Sequence, residues 1–360
     1  MLSILRTPAG VLCSGGGGQR SPSAAVSAIH VVKQFVVKTT TSQSQQQMLS
    51  IRLIGNTAKG RVNAQTLRRM DTTAKRQTLK ERLMAPTTGL PFNLGQGMIG
   101  GGALLGIGAL CYYGLGLSNA PGIYERSMAW EQHVRERIHT TYAYFGSGLG
   151  LTAAAAAAAL RSPAVMRMMT RNSLMSLLLT MGAMIGTGVV AQSIPYREGF
   201  GAKQLAWAAH CGVVGAVIAP LCLMGGPLIM KAAVLTAGIV GGLSAVAVCA
   251  PSDRFLNMGG PLAIGLGVVF ASSLGSMFLP PTTALGASLF SLSVYGGLLL
   301  FSAFLLYDTQ RIVRKAETHP VYTDRPFDPI NASISIYLDV INIFIRLVTI
   351  LGMGGAGKRR

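Results

Sequence analysis

Residues 205–250 read LAWAAHCGVVGAVIAPLCLMGGPLIMKAAVLTAGIVGGLSAVAVCA. Two apolar runs, 205–224 and 228–250, flank Gly225-Gly226-Pro227. A bilayer core of about 30 Å takes about 20 mostly apolar residues per helix, and each run meets that length. The Gly-Gly-Pro break is a tight turn, so the two helices must be antiparallel neighbours. Lys231 sits near one end, where its stem can snorkel. No backbone polar group can stay unpaired in lipid, which makes these segments helices and not open strands.

The pattern repeats outward in both directions. Eight segments qualify: 97–117, 141–160, 174–193, 205–224, 228–250, 260–279, 285–307 and 333–351. Pro280-Pro281 and Pro251-Ser252-Asp253-Arg254 mark further short connections. The fold class expected is therefore all-α, a polytopic membrane helix bundle of about eight transmembrane segments. Composition agrees: 50% of residues are hydrophobic and 12% charged, against roughly 25% charged in soluble domains. That excludes an ordinary soluble enzyme and a disordered chain. Glycines four apart (Gly102 and Gly106, Gly146 and Gly150, Gly182 and Gly186, Gly238 and Gly242) suggest faces where helices approach closely.

The net charge of +19 is unevenly placed: residues 1–96 hold 13 Lys/Arg and only Asp71 and Glu81 as acids. A basic, hydroxylated, acid-poor N-terminus is the pattern of a mitochondrial transit peptide. Within it, Met48 to Ile54 could form a short amphipathic helix; the competing reading is a disordered basic tail. The organisation expected is a transit or disordered arm over 1–80, an extra N-terminal transmembrane helix over 81–119, and a seven-segment membrane domain over 120–360. Basic residues divide almost evenly between the two sides, so the positive-inside rule does not select an orientation.

Catalytic signals are sparse. The five cysteines show no C-x-x-C spacing and read as buried thiols. His210 beside Cys211 reads as packing. His133 and His139 lie in a charged segment that reads as an interfacial helix, with Glu131 and Arg135 as an i,i+4 pair. There is no H-E-x-x-H and no G-x-S-x-G, so the chain is not expected to be an enzyme.

Two acids stand out. Asp308 follows the seventh apolar run in Leu306-Tyr307-Asp308-Thr309-Gln310. No helix breaker follows until Pro320, and the macrodipole disfavours an acid at a helix C-terminus, so the helix should continue past it. Asp339 interrupts Ile336-Tyr337-Leu338-Asp339-Val340-Ile341-Asn342-Ile343-Phe344-Ile345-Arg346, with Asn342 and Arg346 following on the same face. A carboxylate at membrane depth costs several kcal/mol unless paired or watered, and is a functional candidate by default. The structural alternative is an ion pair of Arg346 with Asp339 or Asp308 that locks two helices together. Two facing carboxylates can share a proton or exchange protons for a hard cation. Calcium wants six to eight oxygens; Asn342, Thr309, backbone carbonyls and waters are candidates to complete the shell.

At these residues the chain resembles the Bax-inhibitor family. Three stretches carry the likeness: Ala250 to Gly259, Leu306 to Gln310, and Asp328-Pro329-Ile330-Asn331 through Ile336 to Phe344. It spans about residues 120–357, and leaves the arm and the first helix outside. The resemblance implies helices packed around a central C-terminal helix, with calcium conducted through a pH-sensitive aspartate pair that falls on Asp308 and Asp339. Tyr307, Thr309, Asn342 and Arg346 are the supporting residues expected beside them. Within the family the tail is most like a mitochondrial inner-membrane member. That implies calcium/proton exchange, support of cristae organisation and restraint of cytochrome c release. Calcium and protons are then cargo, with no resident cofactor. The expected partners are the lipid bilayer, cytochrome c and an inner-membrane protease, and not nucleic acid. The competing function is a non-transporting scaffold or regulator of cristae or of a membrane protease. The family's early-helix arginine latch has no counterpart here, since the second and third segments carry no internal charge; this favours a proton-sharing pair.

Overall fold

A computed structural model describes residues 22–57, 84–85, 90–114, 122–170, 174–251, 254–321 and 326–357. The long helices are α1 (Pro22–Thr57), α2 (Leu90–Gly114), α3 (Gln132–Arg161), α4 (Leu174–Ser193), α5 (Ala202–Ile218), α6 (Gly226–Cys249), α7 (Gly259–Phe278), α8 (Gly297–Thr318) and α9 (Pro329–Gly357). A 3-10 turn, Ala219–Met224, prolongs α5. Ala284–Ser291 and a π-turn, Leu292–Gly296, lead into α8. Eight helical stretches, α2 to α9 with these extensions, are long and apolar enough to cross a membrane. Each overlaps one of the eight segments expected. Among the described residues the only β contact is one isolated bridge, Gly122 to Pro251. The chain is a polytopic helical membrane bundle.

The turn between α5 and α6 forms where the sequence breaks. Gly225 has φ +118°, a conformation that only glycine adopts without strain, and Pro227 follows in the first turn of α6. α9 is the hub: it packs on α8, α3, α1 and α6. In its most apolar 18-residue stretch 83% of residues are buried, against 6% for α2 at the periphery.

Three expectations change. Residues 22–57, within the stretch expected to be a transit or disordered arm, form α1, which packs against α9, α7 and α4. The stretch from Ser23 to Ile54 has no glycine or proline to interrupt a helix. The rest of the expected arm, 1–21 and 58–80, lies outside the described residues. Glu131 does not pair with Arg135, because it precedes α3 with extended backbone. It meets His133 at 3.1 Å, while Arg135 donates to the carbonyls of Ser127 and Met128. The separate interfacial helix is instead the first turns of α3.

The third concerns glycine. Of the eight glycines at four-residue spacing, only Gly102 would meet another side chain if it carried a Cβ. Helices touch elsewhere. A Cβ on Gly215 of α5 would lie 2.5 Å from the Thr152 carbonyl oxygen and 2.8 Å from Ala155 Cβ on α3. Spacing reports a narrow face, not which face is covered. Gly215→Ala must push two backbones apart and is expected to cost about 1–3 kcal/mol. Gly100→Ala, with nothing within 4 Å, should cost nothing. Thermal unfolding of both variants in detergent checks the contrast.

Candidate functional site

Asp308 and Asp339 reach the middle of the bundle from α8 and α9, and both are buried. α8 runs past Asp308 to Thr318, so the carboxylate projects from inside a helix. The two acids meet at one ammonium. Lys33 Nζ, from α1, lies 2.9 Å from Asp308 Oδ2 and 2.5 Å from Asp339 Oδ1. Ser335 Oγ donates to Asp308 Oδ2 at 2.5 Å and sits 3.4 Å from Nζ. The Phe304 ring closes the other side, its centroid 4.2 Å from Nζ. Arg311, one turn along α8, is 3.6 Å from Asp308 Oδ1 and is 31% exposed, so the Asp308 side leads to the surface of the bundle.

The two carboxylates are unequally held. Asp308 has Lys33, Ser335 and Arg311. Among the described residues, Asp339 has the Lys33 ion contact and no hydrogen bond of good geometry to either oxygen. A cavity of about 400 Å³ adjoins Asp308; its walls are mostly apolar in area, with Ser27, His30, Gln192, Arg311, Lys315 and Asn331 among its lining residues. His30 Nδ1 is held by Gln192 Oε1 at 2.8 Å.

Other expected site residues are turned elsewhere. Arg346 pairs with neither aspartate. Its Nη1 donates to Asn342 Oδ1 at 2.9 Å and its Nε to the Ser293 carbonyl at 3.3 Å. Its guanidinium carbon stands 4.5 Å from the centroid of the Phe301 ring. A π-turn widens the helix locally and presents that carbonyl. Asn342 is engaged by Arg346, by the Leu338 carbonyl and by the Lys33 carbonyl. Thr309 donates back to Leu305. Tyr307 faces the start of α7, where its ring would meet a Cβ on Gly259. Ser335 stands where Asn342 and Thr309 were expected. Among the described residues no three His, Cys, Asp or Glu side chains gather as a metal-binding group. The missed residue is Lys33. Its only sequence signal is a cation in the arm, and nothing local ties it to acids about 300 positions away.

Residues 134–356 match the family model described as inhibitor of apoptosis-promoting Bax1. The chain belongs to the Bax-inhibitor family. It is 54% identical over 286 residues to the growth hormone-inducible transmembrane protein of Rattus norvegicus, covering 79% of this chain and 83% of that one. It is 33% identical over 141 residues to Bax inhibitor 1 of Rattus norvegicus, covering 39% and 55% respectively. An uncharacterized membrane protein of Vibrio cholerae is 33% identical over 148 residues, covering 39% of this chain and 60% of that protein. The Bax-inhibitor match takes in α4 to α8 and all but the ends of α3 and α9. α1 and α2 precede it, so Lys33 reaches the aspartate pair from outside the family domain.

Proposed function

We propose that this Bax-inhibitor protein is a calcium/proton antiporter of the mitochondrial inner membrane, working through Asp308 and Asp339. The observation that carries this reading is one buried cation shared by carboxylates from two different membrane helices. Two carboxylates balance one divalent cation or two protons, so the same pair can hold either. Asp308, Asp339 and the Ser335 hydroxyl offer hard oxygen donors; calcium takes six to eight, and carbonyls and water supply the rest. The cavity beside Asp308 is the natural approach for a hydrated ion.

In this reading the protein is not an enzyme and carries no resident cofactor. The basic N-terminus addresses it to mitochondria, and in the inner membrane it supports cristae organisation and restrains cytochrome c release. Its partners there are the bilayer lipids, cytochrome c and a membrane protease. One observation favours the second reading, a non-transporting scaffold: Lys33 pairs with both acids without any external ion.

Reconstituted protein decides between them. Calcium uptake into proteoliposomes under an imposed pH gradient should follow the gradient for wild type. It should fall to the empty-liposome background for Asp308→Asn/Asp339→Asn. Correctly inserted wild type without flux would leave the scaffold reading.

A further inference from the structure

The cavity beside Asp308 carries two cations that the bundle leaves unused. Arg311 and Lys315 stand at i and i+4 on α8, and both line it. Among the described residues Arg311 meets an acid only at Asp308, where 3.6 Å is too long for a hydrogen bond. Lys315 is exposed and makes no hydrogen bond or ion pair among the described residues.

The acids that would ordinarily take these charges are committed elsewhere. Glu317 accepts from Arg126 and from the Trp130 indole. Asp328 has Lys203 at one oxygen, 2.6 Å away, and the Asn331 backbone N–H at the other. Asp308 is held by Lys33 and Ser335. Like charges four residues apart on a helix repel, and mostly apolar walls screen that repulsion less than water does. α8 therefore keeps an unfavourable pair of charges here, which a bound anion relieves.

The two groups suit one chemistry. The guanidinium is a planar fork of N–H donors that takes two oxygens at once, and the ammonium is a point charge on a flexible stem. A carboxylate would spend both its oxygens on the fork. A phosphate has a further oxygen left for the ammonium. The volume of about 400 Å³ lies in the range of small-ligand sites.

We propose that Arg311 and Lys315 form a phosphate site at the entrance to the aspartate pair, filled by a phospholipid headgroup or by free inorganic phosphate. Both residues lie within the Bax-inhibitor match. The consequence of the site rests on the transport reading: a bound phosphate neutralises the two positive charges that calcium must pass, and draws Arg311 from Asp308.

Binding is measured on the full-length chain in a neutral detergent, without reference to flux. One arm follows radiolabelled inorganic phosphate by equilibrium dialysis. The other follows the thermal shift with short-chain phosphatidylglycerol, with short-chain phosphatidylcholine as the zwitterionic control. Saturable binding is expected in at least one arm. Phosphate binding identifies the free ion as a ligand; phosphatidylglycerol binding alone identifies the lipid headgroup. Arg311→Gln/Lys315→Gln should weaken it about tenfold or more, the loss that follows from removing charge-assisted hydrogen bonds. Lys231→Gln, an exposed cation on α6, should leave it unchanged. Should the double variant fail to fold, Lys315→Gln alone, at an exposed position, must still show a several-fold loss. No binding in either arm, or equal affinity in the α8 variants, overturns the site. A wild type that binds phosphate but carries no calcium keeps the site and fails the transport reading.

Discussion

Lys33→Met is expected to destabilise the docked bundle by about 3–5 kcal/mol, the range found when one partner of a buried ion pair is removed. Lys33 is fully buried, as are the two carboxylates it serves. Methionine keeps the length of the stem and its packing against Phe304 but removes the charge. Asp308 would retain Ser335 and the partly exposed Arg311. Asp339 would lose its one ion contact, and neither of its oxygens has a hydrogen bond of good geometry to replace it. The penalty therefore falls mainly on Asp339, and this makes the prediction specific. Adding Asp339→Asn should recover most of the loss, because the orphaned charge is gone. Thermal unfolding of the two single variants and the double variant in detergent gives the coupling energy. Strictly additive losses would mean that the ammonium and the Asp339 carboxylate do not meet.

Gly297→Ala should have an effect of similar size for a steric reason. A Cβ at this position of α8 would lie 2.1 Å from Arg346 Nε and 2.8 Å from its Cζ. A long side chain can often swing away from such a clash. This one cannot do so cheaply, because the guanidinium is fully buried and bonded to Asn342 and to the Ser293 carbonyl. Moving it leaves a buried charge with fewer partners, or forces α8 from α9 at the hub of the bundle. We expect about 3 kcal/mol or more, by overpacking and lost charge-assisted hydrogen bonds together. Adding Arg346→Met to Gly297→Ala should relieve much of it; unchanged thermal stability of Gly297→Ala alone would remove Arg346 from this contact.

Both predictions turn on long-range partners, and that is where reading the chain by itself stops. Asp308 and Asp339 are conspicuous in one dimension because a charge inside an apolar run is costly wherever the run is placed. Their partner is not, because a lysine in a basic arm is unremarkable until the arm is folded. Arg346 was the acid partner suggested by proximity along α9. It stands seven residues from Asp339, about two turns away, and is satisfied by Asn342 and a carbonyl instead.

The number and position of the membrane helices, the turn at Gly225 and the two acids at depth were determined by the sequence alone. Each follows from a local quantity: the length of an apolar run, a broken helix, the cost of a charge in lipid. The tertiary structure alone decided that α1 enters the bundle, that Lys33 joins the aspartates, and that Gly215 and Gly297 are close contacts while seven of the eight regularly spaced glycines are not. Those outcomes depend on which faces meet, and a polar helix such as α1 is buried only because a polar stripe on α9 gives it a place to be buried.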